Sequence, residues 1–216
     1  MAARLDARAA LAAWRSYGGA PLGVRAFVGA RLLLLPLCEM DAELRALRGQ
    51  VLSLGAGYGA VERYVAAVND GVEVDGVELD AERVGLASAH PAPRVALRAG
   101  DVLEQGGSAA YDSALAIDLF HHIPAARHGD LLAAVAATLR PGGTFVVKDI
   151  ARTPRWKHDW NRLHDRLVAG PEPIHCREPN DMADLGLRRG FASARWRRVA
   201  RFDPYPHYLV ELRAAS

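Results

Sequence analysis

Apolar residues recur at helical spacing in the first quarter of the chain. The residues that show this spacing are Val24, Phe27, Val28, Leu32 and Leu35. It predicts a helix over residues 24–47 that is broken at Pro36, because proline disrupts a helix interior. This segment precedes every predicted strand, so we expect residues 1–47 to form an N-terminal helical cap or lid.

From Gln50 onward, short apolar strands alternate with amphipathic helices. Strands are predicted at Val51–Leu54, Val72–Glu78, Arg94–Arg98, Ser113–Ile117 and Thr144–Ile150, with helices at Tyr58–Val68, from Asp80 and at 127–139. Such regular alternation is typical of a mostly parallel sheet that is covered by helices on both faces.

The last third of the chain departs from this alternation. A helix is predicted at Arg155–Val168 and a shorter one near 180–188, followed by strands at Ala194–Phe202 and Tyr208–Arg213. The short connection between these two strands predicts an antiparallel pair. The expected fold is therefore α/β and Rossmann-like: a doubly wound, mostly parallel seven-stranded sheet with an antiparallel C-terminal strand pair. Residues 48–216 are expected to form this domain.

Composition and charge limit the cellular compartments and the classes of partner that we expect for this chain. The chain has 216 residues, of which 50% are hydrophobic, and a formal net charge of +2, so no overall field favours a nucleic-acid partner. Apolar runs such as Leu32–Leu37 are far shorter than the roughly 20 residues that span a bilayer. Cys38 and Cys176 form no metal-ligand pattern, and no metal is expected. These features predict a cytoplasmic protein with two reduced thiols.

A glycine-rich segment joins the first predicted strand to the helix after it. It reads Gly55-Ala56-Gly57-Tyr58-Gly59, and Glu78 follows at the end of the second strand. Glycines there let a ligand approach the helix N-terminus, and a carboxylate at the second strand can accept hydrogen bonds from both ribose hydroxyls. The alternative is a structural turn with a solvated acid. The spacing also fits the dinucleotide pattern G-x-G-x-x-A, which leaves an NAD-dependent oxidoreductase as a rival function.

Five motifs in order give the chain a family resemblance. They are Val51–Gly59, Gly76–Asp80, Ala99–Val102, Tyr111–Asp112 leading to Ile117–Pro124, and Leu139–Gly143. Over residues 48–213 the chain resembles the class I S-adenosylmethionine-dependent methyltransferases. Ser53 departs from the first motif, since it stands at a place that is often acidic.

The resemblance implies a cofactor, S-adenosylmethionine, which would leave as S-adenosylhomocysteine. Its implied binding residues are Gly55, Ala56, Gly57, Tyr58, Glu78, Leu79, Asp101, Val102 and Asp118. Among these, Asp101 is expected to meet the adenine amino group. Ser53 removes one carboxylate near the amino end of the cofactor, and Asp118 is the expected replacement. We expect a small-molecule or lipid-like acceptor; a methyltransferase-fold protein that does not methylate is a third hypothesis.

Polar residues at the carboxyl ends of the later strands are the catalytic candidates. They are His122, Lys148 and Asp149, together with His164 on the predicted helix 155–168. A histidine can remove the proton of an oxygen acceptor near neutral pH. The alternatives are that His122 shapes the cofactor pocket and that Lys148-Asp149 forms an ion pair at the rim of the sheet.

Acceptor contacts are predicted from two other segments. The candidates are Tyr17, Lys157, His158, Asn161 and His175; a solvated helix face explains the charged members equally well. Tyr17 precedes Gly18-Gly19, an arrangement that suits a closing lid. A static cover and weak contact with a membrane surface are the other two interpretations of this segment. The arginines of residues 188–201 are interpreted as protection of an edge strand rather than as a phosphate site.

Overall fold

The computed structural model describes residues 6–104, 109–153, 174–199 and 206–216, and elements are numbered within these ranges. The strands are β1 (Gly49–Leu54), β2 (Val72–Glu78), β3 (Val95–Ala99), β4 (Tyr111–Ile117), β5 (Leu139–Ile150), β6 (Phe191–Arg198) and β7 (His207–Ala214). The helices are α1 (Ala7–Arg15), α2 (Leu22–Leu34), α3 (Leu37–Ala46), α4 (Ala60–Val68), α5 (Ala81–Ser88), α6 (His128–Thr138) and α7 (Pro179–Arg188).

The strands form one seven-stranded sheet in the order β3-β2-β1-β4-β5-β7-β6. β1 pairs with β2, and β2 with β3, in parallel, whereas β7 is antiparallel to both of its neighbours, β5 and β6. The predicted fold class is confirmed, including the antiparallel C-terminal pair.

The chain divides into two compact units, and β4 contributes residues to both. The first comprises Met1–Glu104 and Tyr111–Leu115, and the second comprises Gln105–Ala110 and Ala116–Ser216. In the first unit, α1, α2 and α3 all pack on α4. Residues 60–66 of α4 are consequently all buried, so the N-terminal helices cover a helix of the first unit. The predicted boundary between a cap over 1–47 and a domain over 48–216 stays a prediction.

Several predicted boundaries shift, and the backbone explains most of them. The break at Pro36 is confirmed, because α2 and α3 lie on either side of it. α4 begins at Ala60 rather than Tyr58 because Gly59 has φ +78°, which cannot continue a helix. β3 begins at Val95 because Arg94 has φ +61°. α1 was not predicted; Asp6 caps it by accepting a hydrogen bond from the Ala9 N–H.

The C-terminal predictions also change in part. β5 begins at Leu139 rather than Thr144, and the Gly142 N–H near its start donates to the Ala215 carbonyl at 2.8 Å. The Pro-Gly-Gly segment therefore continues the hydrogen bonding of the sheet instead of only turning the chain. β6 covers Phe191–Arg198 and so begins before the predicted Ala194, while the predicted end at Phe202 lies outside the described residues. The predicted helix over 155–168 lies outside the described residues.

In the second unit, two arginines on the last two strands of the sheet form hydrogen bonds with a buried glutamate. Glu211 of β7 is 4% exposed, and its carboxylate accepts from Arg195 Nη2 at 2.6 Å and Arg213 Nε at 3.2 Å. Burial alone would raise the pKa of Glu211, and the two arginines hold this pKa below its ordinary value. Arg195 on the edge strand β6 therefore has a structural partner, consistent with the edge-strand interpretation.

Candidate functional site

The glycine-rich loop lies between β1 and α4 in the first unit and is tied to β2. The N–H groups of Gly55 and Ala56 both donate to the Val77 carbonyl, at 2.9 and 3.1 Å. The loop ends at Gly59, which precedes α4 with φ +78°. These bonds hold the loop at the carboxyl end of β2, where ligands of open α/β sheets bind.

Two glycines of this loop serve different purposes. A Cβ at Gly59 would lie 2.8 Å from Leu97 Cδ1, so this glycine permits packing of the loop on β3. A Cβ at Gly57, by contrast, would meet no described atom within 4 Å. Gly57 therefore presents its bare backbone to open space, as a loop that cradles a ligand must.

Glu78 connects the end of β2 to this loop. Its Oε2 accepts from the Gly57 N–H at 2.7 Å, and its Oε1 accepts from the Asp80 N–H at 3.1 Å. The residue is 9% exposed. Each carboxylate oxygen has a further lone pair, so the group can hold the loop and still accept from ribose hydroxyls.

The other predicted cofactor residues of the first unit follow β2 and β3. Asp101 Oδ1 accepts from the Leu103 N–H at 2.8 Å and so caps a short 3₁₀ turn at Val102–Glu104. Val102 is buried, whereas Leu79 is 74% exposed. Because β2 and β3 are parallel, Glu78 and Asp101 lie at the same edge of the sheet.

Tyr58 is the contact point between the loop and the N-terminal helices. The Tyr17 hydroxyl donates to the Tyr58 carbonyl, and the Phe27 ring meets the Tyr58 ring edge-on at 5.5 Å. Tyr17 is completely buried beneath the Arg63 guanidinium, 3.9 Å above its ring. Burial raises the pKa of Tyr17 far above its ordinary value. Tyr17 thus braces the loop here, and its predicted contact with an acceptor stays a prediction.

A buried carboxylate beside Ser53 was not anticipated from the sequence. The Ser53 hydroxyl donates to Glu62 Oε1 at 2.5 Å, and both residues are almost fully buried. Glu62 is the third residue of α4. The pair places a carboxylate next to the position where the resemblance expects an acid on the strand. The available signal was a serine at that position followed by a glutamate in the first turn of the next helix.

The second unit holds Asp118 and Lys148 as a pair. Lys148 Nζ donates to Asp118 Oδ1, and the Asp118 N–H donates to the Lys148 carbonyl at 2.8 Å. The Lys148 side chain is completely buried, and Asp118 has φ +56°. A non-glycine residue with this φ is strained and is common at functional sites.

Asp149 has a different partner from its neighbour Lys148. Asp149 Oδ1 lies 2.6 Å from His121 Nδ1, and Oδ2 accepts from the His121 N–H at 3.3 Å. Burial would raise the pKa of Asp149, and the His121 charge and hydrogen bond hold it below its ordinary value. Lys148 and Asp149 therefore do not pair with each other, because successive residues of a strand point to opposite faces.

The histidine oriented by Asp149 is His121, whereas the predicted catalytic histidine is its neighbour His122. His121 is 4% exposed, whereas His122 is exposed. Both lie in a 3₁₀ turn at Phe120–His122, in which consecutive side chains point about 120° apart because the turn has three residues. Only one of the two can face Asp149, and nothing in the sequence decides which. The catalytic role of His122 stays a prediction.

His128 anchors that turn from α6. Its Nε2 lies 2.8 Å from the Phe120 carbonyl and 2.9 Å from the Ile123 carbonyl, while Arg177 Nε donates to Nδ1 at 3.2 Å. Nε2 therefore carries the proton and Nδ1 accepts, which fixes a neutral tautomer. Burial lowers the pKa of His128.

The remaining predicted residues are divided between the described and undescribed parts. His164, Lys157, His158 and Asn161 lie outside the described residues. The His175 N–H donates to the His121 carbonyl at 2.7 Å, which places its backbone beside the His121–Asp149 pair. Within the described ranges, no group of three or more His, Cys, Asp or Glu residues has the geometry to hold a metal ion. No described helix has the length and apolar character needed to cross a bilayer.

Comparison with known families bears directly on this geometry. A family model described as a methyltransferase domain matches residues 27–194, which is more than half of the chain. The chain belongs to the methyltransferase domain family. The match confirms the predicted class I S-adenosylmethionine-dependent methyltransferase, with S-adenosylmethionine as its cofactor, and decides against the NAD-dependent oxidoreductase. No curated protein matches the chain in sequence.

Solved structures share the fold at low sequence identity. A chain of the complex between the Haloferax volcanii Trm112 methyltransferase activator and the putative methyltransferase aligns with TM-score 0.70 and 16% identity, covering 87% of this chain and 93% of that one. An S-adenosylmethionine-dependent methyltransferase from Mesorhizobium loti aligns with TM-score 0.67 and 19% identity, over 83% of this chain and 98% of that one. A Haemonchus contortus phosphoethanolamine N-methyltransferase 2, in complex with S-adenosylmethionine, aligns with TM-score 0.62 and 14% identity, over 79% of this chain and 49% of that one.

Proposed function

We propose that this methyltransferase transfers the methyl group of S-adenosylmethionine in line to an oxygen, nitrogen or carbon nucleophile of a small-molecule or lipid-like acceptor. The observation that carries the proposal is the loop at Gly57. Its backbone faces open space, while its N–H is fixed by the Glu78 carboxylate at 2.7 Å.

The residues of the first unit fit the cofactor. Glu78 would accept from the ribose hydroxyls, Asp101 would meet the adenine amino group, and Gly55, Gly57 and Tyr58 would line the helix N-terminus. The further assignments of Ala56, Leu79, Val102 and Asp118 are proposed on the resemblance. When bound, the cofactor supplies an activated methyl group on a sulfonium. The work left to the protein is to align the acceptor and to exclude water.

Acid–base candidates come from the second unit. His121 is held by Asp149 through its Nδ1, and an imidazole oriented in this way can take up a proton at its other ring nitrogen. We therefore add His121 to the proposed catalytic residues His122, Lys148, Asp149 and His164. Proton removal matters for a phenol or another hydroxyl and is unnecessary for an acceptor that is already a good nucleophile.

Two features support a small or lipid-like acceptor. The net charge of +2 supplies no field for a nucleic acid. In addition, the exposed side of α2 in the first unit is apolar, with Leu22, Leu33 and Leu34 exposed by 79%, 78% and 57%. An apolar surface on a helix that braces the loop suits an acceptor with an apolar part. Residues 1–47, which include α2, are proposed to form the cap.

Product analysis tests the proposal. The enzyme is incubated with S-adenosylmethionine labelled in its methyl group and a cell extract divided into lipid-extractable, small aqueous and macromolecular fractions. We expect label in one of the first two fractions, accompanied by equal formation of S-adenosylhomocysteine. A variant with Gly57→Val controls for enzymes of the extract. Label confined to precipitable protein or nucleic acid would contradict the acceptor class, and tight cofactor binding without turnover of any fraction would favour a non-methylating role.

A further inference from the structure

Glu62 is a buried carboxylate in the first turn of α4, directly after the glycine-rich loop. It is 2% exposed, and its Oε1 accepts from the Ser53 hydroxyl at 2.5 Å. Ser53 is the penultimate residue of β1. The carboxylate therefore lies beside the carboxyl end of β1, where that strand enters the loop.

The second oxygen of this carboxylate is unused. Oε2 of Glu62 is buried and has no hydrogen-bond partner among the described residues. A buried carboxylate oxygen without a hydrogen-bond donor is energetically unfavourable, so it requires a physical explanation such as a bound ligand. Consistent with this cost, burial raises the pKa of Glu62.

The nearby arginines do not supply a hydrogen bond to that oxygen. Arg63 and Arg31 both act on Glu62 electrostatically. Arg63, however, donates through Nη1 to Ser16 Oγ at 2.6 Å and through Nη2 to the Ala87 carbonyl at 2.9 Å. Both terminal nitrogens of its guanidinium are thus directed at other partners, and its Nε makes no hydrogen bond among the described residues.

The sheet order indicates which part of the cofactor reaches Glu62. β3 and β2 lie on one side of β1, and they carry the proposed adenosine contacts Asp101 and Glu78. A ligand that extends from these strands across β1 brings its amino-acid end to the end of β1. The cofactor has two cationic centres there, and only the ammonium has N–H groups, because the sulfonium has no hydrogen to donate.

We propose that Glu62 binds the α-ammonium group of S-adenosylmethionine through Oε2 and takes over the role of the strand carboxylate that Ser53 lacks. The proposal rests on the cofactor site at the loop. Asp118, the residue predicted from the sequence for this role, already accepts from the buried Lys148 ammonium.

Calorimetry with two ligands tests the assignment without knowledge of the acceptor. S-adenosylhomocysteine carries the ammonium, and 5′-methylthioadenosine shares its adenosine and thioether but lacks the amino acid. Glu62→Gln should weaken S-adenosylhomocysteine by about tenfold or more, since one charge-assisted hydrogen bond is lost. The same variant should change the affinity for 5′-methylthioadenosine by less than about twofold. Glu82→Gln, an exposed glutamate in the first turn of α5, is the matched control and should change neither.

A rescue and a stability measurement separate this role from a structural one. Ser53→Asp combined with Glu62→Gln moves the carboxylate back to the strand and should recover much of the lost affinity. The ligand-free Glu62→Gln protein should unfold at the same temperature as the wild type or higher, because it no longer buries a charge. Should Glu62→Gln fail to fold, the wild type decides: the deamino analogue of S-adenosylhomocysteine should bind it about tenfold less tightly than S-adenosylhomocysteine.

The contrary outcomes are distinct. Equal weakening of both ligands would make Glu62 a structural support of the loop and overturn the proposal, as would unchanged affinity for S-adenosylhomocysteine in a folded Glu62→Gln variant. Equal binding of the deamino analogue by the wild type would also overturn it. A wild type that binds neither ligand would refute the cofactor site itself, and this inference with it.

Discussion

Replacement of Glu78 probes the part of the cofactor site that joins β2 to the glycine-rich loop. The carboxylate accepts from the Gly57 N–H at 2.7 Å and from the Asp80 N–H at 3.1 Å, and it is the proposed acceptor for both ribose hydroxyls. Glu78→Ala removes two charge-assisted hydrogen bonds to the ligand and leaves the Gly57 N–H without its acceptor. We expect a loss of about 2 kcal/mol of binding free energy, which is roughly a 30-fold increase in Kd.

A conservative variant separates the contribution of the charge from that of the whole side chain. Glu78→Gln keeps one oxygen that can accept from the Gly57 N–H, but it lacks the charge and the second acceptor. We expect its affinity to fall by about 1 kcal/mol, or roughly fivefold. Because the ribose is common to both ligands, S-adenosylhomocysteine and 5′-methylthioadenosine should lose affinity to the same extent, in contrast to the selective loss expected for Glu62→Gln.

Isothermal titration calorimetry of the purified protein provides the measurement. Glu73→Gln is the matched control, since Glu73 is an exposed glutamate near the start of the same strand, and its Kd should stay within about twofold of the wild type. Circular dichroism establishes that each variant is folded. Unchanged affinity in both Glu78→Ala and Gly57→Val would refute the assignment of the loop as the cofactor site.

Three further predictions concern other parts of the molecule. Asp118→Asn removes the carboxylate that pairs with the buried Lys148 ammonium and should lower the free energy of unfolding by roughly 3 kcal/mol in urea titrations. Adding Lys148→Met should recover most of this loss, and an unchanged midpoint would contradict a tight pair. Because the pKa of His128 is lowered from 6.5 in the folded state, the unfolded chain binds the proton more readily, so stability is full above pH 6.5 and falls as the pH drops below it. His128→Gln, which still donates to both carbonyls, should flatten this fall between pH 7.5 and 5.5, and an identical pH profile would exclude His128 as its cause. If residues 1–47 act as a lid, residues 10–30 should gain protection from hydrogen exchange when S-adenosylhomocysteine is added. Equal, strong protection with and without this ligand would leave only the static cover. The buried Tyr17 and its hydrogen bond to the Tyr58 carbonyl favour the static cover.

The sequence alone predicted the features that arise from local patterns. Alternating apolar strands and amphipathic helices fixed the α/β class, because each segment has to bury one face. The glycines of residues 55–59 and the acid at Glu78 could be placed at the sheet edge, since strand, loop and helix follow one another directly in the chain. The break at Pro36 followed from the missing N–H of proline. Errors of boundary came from backbone angles, as at Gly59 and Arg94, which residue type only partly predicts.

The partners of the charged residues were decided by the tertiary structure. Lys148 and Asp149 are adjacent in sequence, yet they pair with Asp118 and His121, because the strand sends them to opposite faces. His121 rather than His122 meets Asp149 because the rotation of a 3₁₀ turn selects one of two identical neighbours. Ser53 and Glu62 meet because the glycine-rich loop brings the first turn of α4 back beside the end of β1. A pattern of residue types specifies which groups are present in the site, but the directions of their side chains depend on strand register, helix rotation and packing between segments far apart in the chain.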